Sequence, residues 1–472
     1  MSDATREALR RLPAVDLVLQ SDAAQHLVNE FGRQETVETI RDTLNALRAS
    51  LLRDPMSETP SCSPDDIALK ARENLLAARR PNLRRVVNAT GIILHTGLGR
   101  AFMPEAARLA LSTVTGYCNL QTDLETGQRD QREDCLRKLA CELTGAEDVV
   151  VVNNNAAATL LVLAALARGK EAVVSRGELI EIGGSFRLPD IMRESGAILR
   201  EVGTTNKTHL RDYESATGPD TGLILKAHQS NYRIVGFTHE VSIADIAQVG
   251  RKHNVPVVDD LGCGALVPLE TFGLTHEGTV QESLAAGADV ALFSTDKLIG
   301  GPQGGMIVGR RDLIARTRSH PLYRAFRVCK LTLGALEATL RLFKAPDRLA
   351  QTHPVYQMLA KTPAQMKAQA ERLARQLTEQ HPGWTITVTS ETSYLGGGTL
   401  PGEGMPSFAV CLKAPESSAV DLSRRFRMAT VPVAGRIHED NVVLDMRTVF
   451  EADHASILAA TDDVDSHRGF PL

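Results

Sequence analysis

From residue 86 to 345, short β-branched runs alternate with helical stretches, and this rhythm constrains the fold more than any other feature of the chain. The runs lie at 149–152, 172–175, 197–202, 222–227, 255–259, 290–293 and 305–308. Near-continuous apolar runs of this kind are buried on both faces, which happens when helices cover both sides of a mostly parallel sheet. The predicted class is therefore α/β. Sheets of this type bind ligands beyond the carboxyl ends of their strands.

Those ends carry the chemistry. Ser294-Thr295-Asp296-Lys297 follows the run at 290–293, so the Lys297 amine leaves a buried strand in a water-poor place. Burial lowers an amine's pKa and makes it a nucleophile toward an aldehyde. The run Val257-Val258-Asp259-Asp260-Leu261-Gly262 ends in carboxylates, with Asp259 the expected anionic partner of a pyridinium nitrogen. A third element, Val152-Asn153-Asn154-Asn155-Ala156-Ala157, reads as a strand, a polar turn and a helix of small residues. The free N–H groups and dipole of that first turn suit a phosphate. Each element has a plainer reading alone: Lys297 a loop lysine, Asp259 a turn residue, the asparagines a helix cap. In the order phosphate turn, Asp, Ser-x-x-Lys, they outline a pyridoxal phosphate (PLP) site of the fold-type-I, aspartate-aminotransferase-like kind. Lys297 is then the Schiff-base lysine, with Asn154, Asn155 and Ala156 at the phosphate and Ser294 as a further phosphate donor.

At 472 residues the chain is too long for one core. Residues 1–80 read as a helical module: Val37, Ile40, Leu44, Leu47 and Leu51 line one helix face. A second helix is expected from Ser63-Pro64-Asp65-Asp66, with Ser63 as cap, after a Pro/Ser-rich linker at 54–64. Arg79, Arg80, Arg84 and Arg85 follow, either as a solvated face or as a phosphate-backbone contact. Residues 81–345 form the expected catalytic domain. Residues 346–472 form a smaller α+β domain, with a helix at 363–380 and strands at 385–389, 407–412 and 441–445. Net charge is −4, so a nucleic-acid contact would have to be local. No run is long and apolar enough to span a bilayer, and no charged-then-apolar leader is evident, so the expected location is the cytoplasm. The seven cysteines lack Cys-x-x-Cys spacing and argue against both a metal site and a disulfide framework.

The chain resembles bacterial selenocysteine synthases over nearly its whole length. The resemblance is carried by Asn88-Ala89-Thr90-Gly91 with His95-Thr96-Gly97-Leu98-Gly99-Arg100, by residues 176–190, by Val202-Gly203-Thr204-Thr205-Asn206-Lys207-Thr208, by Asp259-Asp260-Leu261-Gly262 and by residues 296–303. Thr295 stands where that family commonly has Gly, and Cys263 where Ser is usual. The resemblance implies a PLP enzyme that converts L-seryl-tRNA(Sec) to L-selenocysteinyl-tRNA(Sec), eliminating the serine hydroxyl and adding selenium from selenophosphate. It implies that Lys297, Asp259 and Asp296 are catalytic and that Arg100, Arg324 and Arg327 hold selenophosphate. Arg324 and Arg327 share a helix face if their segment is helical. His228 and Ser230, in the residues after the run at 222–227, are expected against the ring or its 3′-oxygen, with core packing the alternative for His228. Arg436 and Arg447 are weaker anion candidates. The resemblance also implies a front module that grips the tRNA and a homo-oligomer, a ring of five dimers. Two other classes stay open: a PLP-dependent lyase or ammonia-lyase acting on a small free amino or sugar acid, and a non-catalytic tRNA-binding protein.

Overall fold

The computed structural model describes residues 3–53, 62–183, 186–415 and 417–466. Most of the expected linker at 54–64 lies outside them, as do Gly184 and Ser185. Contacts divide the chain into two compact units, Met1–Arg85 and Val86–Leu472.

The first unit is helical: α1 Asp3–Arg10, α2 Val15–Leu19, α3 Asp22–Phe31, α4 Arg33–Arg53 and α5 Pro64–Ala78. Ile40, Leu44 and Leu51 of α4 are buried, and Val37 and Leu47 pack partly against the same core, so one apolar stripe faces inward. Ser63 caps α5 by accepting the Asp66 N–H, and Pro64 takes the first helical position, where its missing donor costs nothing. Arg79 does not point freely into solvent: its guanidinium pairs with Glu35 and lies over the Phe31 ring.

In the second unit all seven predicted runs are strands of one sheet: β1 Asp148–Val152, β2 Glu171–Ser175, β3 Ile198–Val202, β4 Thr221–Ala227, β5 Val257–Gly262, β6 Val290–Ser294 and β7 Gly305–Gly309. Their order is β1-β7-β6-β5-β4-β2-β3. Only β7 runs antiparallel to its neighbours, so the carboxyl ends of the other six share one edge of the sheet. Val149–Val152 and Val290–Phe293 are wholly buried, as strands covered on both faces must be.

A second, five-stranded sheet holds Arg436–His438, Asn441–Asp445, Thr399–Lys413, Thr385–Gly396 and Ile92–Leu94, in that order. The expected strands at 385–389 and 407–412 are the outer parts of one long hairpin. Its membership draws on strands far apart in the chain. Val87–Asn88 pairs with Val433–Ala434 in a separate two-stranded sheet, and Ile92–Leu94 pairs with the Thr385–Gly396 strand at the edge of the five-stranded one, so the chain pairs with these C-terminal strands before entering the catalytic sheet. The pairing is non-local, and no local pattern announces it. The Asn88-Ala89-Thr90-Gly91 motif belongs to that segment. Gly91 has φ +77°, and a Cβ there would meet the buried Asp445 carboxylate at 2.3 Å. Among the described residues no helix is long and apolar enough to cross a membrane.

Candidate active site

A cavity of ≈ 270 Å³ opens at the shared carboxyl edge of the large sheet. Four elements converge on it. From the turn after β1 come Asn154, Asn155 and Ala156; from the end of β4, Ala227, His228 and Ser230; from the end of β5, Asp260 and Gly262; and from the end of β6, Ser294, Asp296 and Lys297. Arg100 completes the set of charged side chains.

The turn after β1 starts the helix Asn155–Ala167. Asn154 caps it, its side chain accepting the Ala157 N–H at 2.8 Å. The N–H groups of Asn155 and Ala156 precede any intrahelical acceptor, so they face the cavity end of the dipole. Gly262 ends β5 with φ +65°, and a Cβ there would stand 3.1 Å from the Ser230 hydroxyl and 3.9 Å from Lys297 Nζ. A side chain at this position would narrow the floor of the cavity.

Lys297 is 7 % exposed, and among the described residues its Nζ has neither hydrogen bond nor ion pair. Burial is the largest influence on the amine and pushes its pKa down, with Arg100 acting in the same direction; Cys263, Asp260 and Asp296 oppose it. The result is an amine that gives up its proton more readily than a surface lysine.

The structure replaces Asp259 by Asp260 as the carboxylate of this cavity. Successive side chains of a strand point to opposite faces. Asp260 faces the helix Asn155–Ala167, accepting from Asn155 Nδ2 at 2.7 Å, Thr159 Oγ1 at 2.9 Å and the Gly262 N–H at 3.1 Å. Burial raises its pKa, while these three hydrogen bonds and Lys297 favour the ionised form. Asp259 faces the other way, into a second cavity lined also by Lys226, and accepts from Ser283 Oγ at 2.6 Å.

Asp296 is buried beside Lys297 and pairs with Arg100, Nη1 to Oδ2 at 2.7 Å, leaving Oδ1 without a partner. Arg100 adopts φ +62°, a left-handed conformation uncommon for a residue with a Cβ. Its N–H bonds back to His95 O at 2.9 Å, which holds the turn of the His95-to-Arg100 motif.

Arg324 and Arg327 are not among the residues lining this cavity. Nor do they share a helix face: the helix Pro321–Phe326 stops before Arg327, whose extended backbone bridges to Val152. Arg436 and Arg447 do not line this cavity and have partners elsewhere. Arg436 pairs with Glu391 and Asp445, and Arg447 donates to the carbonyls of Met358, Leu359, Lys361 and Pro406. Gln303, Gly304 and a wall of Ile180, Ile182, Phe186 and Leu188 line the cavity unanticipated. The last four lie within the motif at 176–190, whose apolar positions were a usable signal.

Comparison with known proteins bears on this site. The family model described as L-seryl-tRNA selenium transferase matches residues 86–450, and one described as selenocysteine synthase N terminal matches residues 9–48. The L-seryl-tRNA(Sec) selenium transferase of Geotalea daltonii is 45 % identical, covering 97 % of this chain and 99 % of that protein. The one from Moorella thermoacetica is also 45 % identical, covering 97 % of each. Among solved structures, a D-glucosaminate-6-phosphate ammonia-lyase superposes with a TM-score of 0.56 at 21 % identity, covering 83 % of this chain and all of that one, a likeness of fold.

Proposed function

The chain belongs to the L-seryl-tRNA selenium transferase family, and from that membership we propose how its Lys297 cavity performs the reaction. The enzyme converts L-seryl-tRNA(Sec) to L-selenocysteinyl-tRNA(Sec), exchanging the serine hydroxyl for selenium while the amino acid stays esterified to its tRNA. The observation that carries the site assignment is one cavity onto which a buried amine, unpartnered among the described residues, and a buried, hydrogen-bonded carboxylate both open, at a helix N-terminus.

The donor set fits PLP. Asn155 and Ala156 would hold its phosphate through their N–H groups, with the Ser294 hydroxyl alongside. Asp260 would hold the ring nitrogen, and its three hydrogen bonds favour the ionised form against the burial that raises its pKa. When bound, PLP supplies the electron sink that lets the seryl Cα lose its proton. Lys297, its charge disfavoured by burial, takes that proton and returns it to the departing β-hydroxyl, which leaves as water. Selenium then adds to the β-carbon while Lys297 returns a proton to Cα, and water cleaves the selenium–phosphorus bond to release inorganic phosphate. The selenium donor on this reading is selenophosphate, a small multianion met by Arg100, with Asp296 orienting the guanidinium until the anion arrives. Arg324 and Arg327 line no part of this cavity, so they would serve it only from a neighbouring copy, in the homodecamer that the resemblance implies.

The helical unit Met1–Arg85 is read as the grip on the tRNA body, and the cytoplasm, where charged tRNA is found, as the location. A lyase acting on a small free amino or sugar acid would have no use for that unit, which weighs against this second reading. The test is to mix purified protein with PLP, seryl-tRNA(Sec) and selenophosphate and follow selenium into the aminoacyl product, then to reduce with borohydride and map the pyridoxyl label. Selenium in the product and label on Lys297 are expected. Label on another lysine overturns the site.

A further inference from the structure

His228 follows the last residue of β4 and forms part of the wall of two cavities, the one that holds Lys297 and a ≈ 460 Å³ cavity containing Asp259, Lys226 and Glu277. Three contacts act on its ring, of which the Ser230 hydroxyl, 3.4 Å from Nδ1, is one. The Ser230 N–H donates to Nδ1 at 3.1 Å, which makes Nδ1 the acceptor and leaves the proton on Nε2. Nε2 lies 3.5 Å from Oε1 of Glu277. Glu277 is buried, its side chain 5 % exposed, and the same oxygen accepts the Cys263 thiol at 2.9 Å. Among the described residues His228 is the only basic side chain at ion-pair distance from this buried carboxyl group, whose burial favours keeping the ring turned toward it.

We propose that Glu277 is a positioning residue of the active site: through Nε2 it fixes the orientation of the His228 ring, whose tautomer the Ser230 N–H sets, and so the shape of the cavity wall beside Lys297. The inference rests on the reading that this cavity holds PLP. Glu277 stands outside the cavity and acts on it through the imidazole. The same carboxylate accepts a hydrogen bond from the Cys263 thiol, whose proton burial and Glu277 together keep on sulfur, so the end of β5 is tied to the end of β4 through one side chain.

The test is a double-mutant cycle on the full-length protein, with PLP affinity measured by titrating the apo form and following the cofactor absorbance. Glu277→Gln and His228→Asn are each expected to weaken PLP binding about fivefold to tenfold, and the double variant no further than the weaker single. A residue that merely stabilised the fold would not produce that non-additivity. Losses that multiply in the double variant, or Glu277→Gln binding PLP with unchanged affinity, would overturn the proposal. If Glu277→Gln does not fold, Glu277→Asp, which keeps the charge but withdraws it from Nε2, carries the same cycle with the same expectation. An unsubstituted protein that binds no PLP overturns instead the reading beneath the proposal, and is seen before any variant is made.

Discussion

Replacing Asp260 by Asn is expected to weaken PLP binding by one to two powers of ten, and replacing Asp259 by Asn to leave it within a factor of about three. The two residues are neighbours in sequence and identical in charge, so the contrast isolates the direction of the side chain. Asp260 presents both oxygens to donors, Asn155 Nδ2 and the Gly262 N–H on one, Thr159 Oγ1 on the other. An amide here loses the anion that would pair with a pyridinium, and it turns an NH2 group toward side chains that now donate. Losing one charged hydrogen bond costs about 1.5–3 kcal/mol. Asp259 has its Oδ2 bonded to Ser283 and lies near Lys226 on the other face of β5, so its loss should register in the thermal midpoint of the apo protein and not in cofactor affinity. The assay is PLP titration of the two apo variants beside unfolding curves recorded without cofactor. If Asp259→Asn loses the cofactor and Asp260→Asn keeps it, the face assignment of β5 is wrong and with it the reading of the cavity.

Lys297 has its folded pKa depressed below that of an unfolded lysine, so the folded apo protein binds fewer protons in the window between the two values, and stability rises with pH there. Apo Lys297→Met is therefore expected to be more stable than the unsubstituted apo protein at neutral pH, with the gap closing as pH approaches the ordinary lysine value of about 10.4; denaturant midpoints across pH check this, and a gap that widens with pH would contradict it. Arg100→Asn removes the cation while placing a residue that tolerates the left-handed backbone, so a raised selenophosphate requirement of about one to two powers of ten should appear without loss of PLP. An unchanged donor dependence at saturating tRNA would assign Arg100 to orienting Asp296 alone. Truncation to residues 86–472 removes one compact unit and keeps the Val87–Asn88 strand with its partner, so PLP binding should survive while affinity for seryl-tRNA(Sec) falls sharply. Full tRNA affinity in the truncated protein would move recognition to the catalytic unit.

Much of the catalytic layer could be read from local pattern because its strands are apolar on both faces and its functional groups sit at their ends. The runs at 149–152 and 290–293 had to be buried, and Lys297, Asn154 and Asn155 had to stand where those runs stop. The cap at Ser63 was equally local, a hydroxyl and a proline placed where a helix needs them. Three decisions lay beyond local pattern. Asp259 and Asp260 are adjacent, and a strand turns each residue half a revolution from the last, so choosing between them required knowing which face meets the helix Asn155–Ala167. Arg324 and Arg327 are three apart, but the helix ends between them, and their distance from the cavity depends on where Pro321–Phe326 packs. The strands at 87–94 pair with partners some 300–350 residues away in the chain, joined by hydrogen bonds that no neighbouring residue announces. Composition and periodicity act over a few residues and set which groups are buried and where a strand stops; which buried group meets which is set by packing between segments far apart in the chain, and that is information only the folded molecule holds.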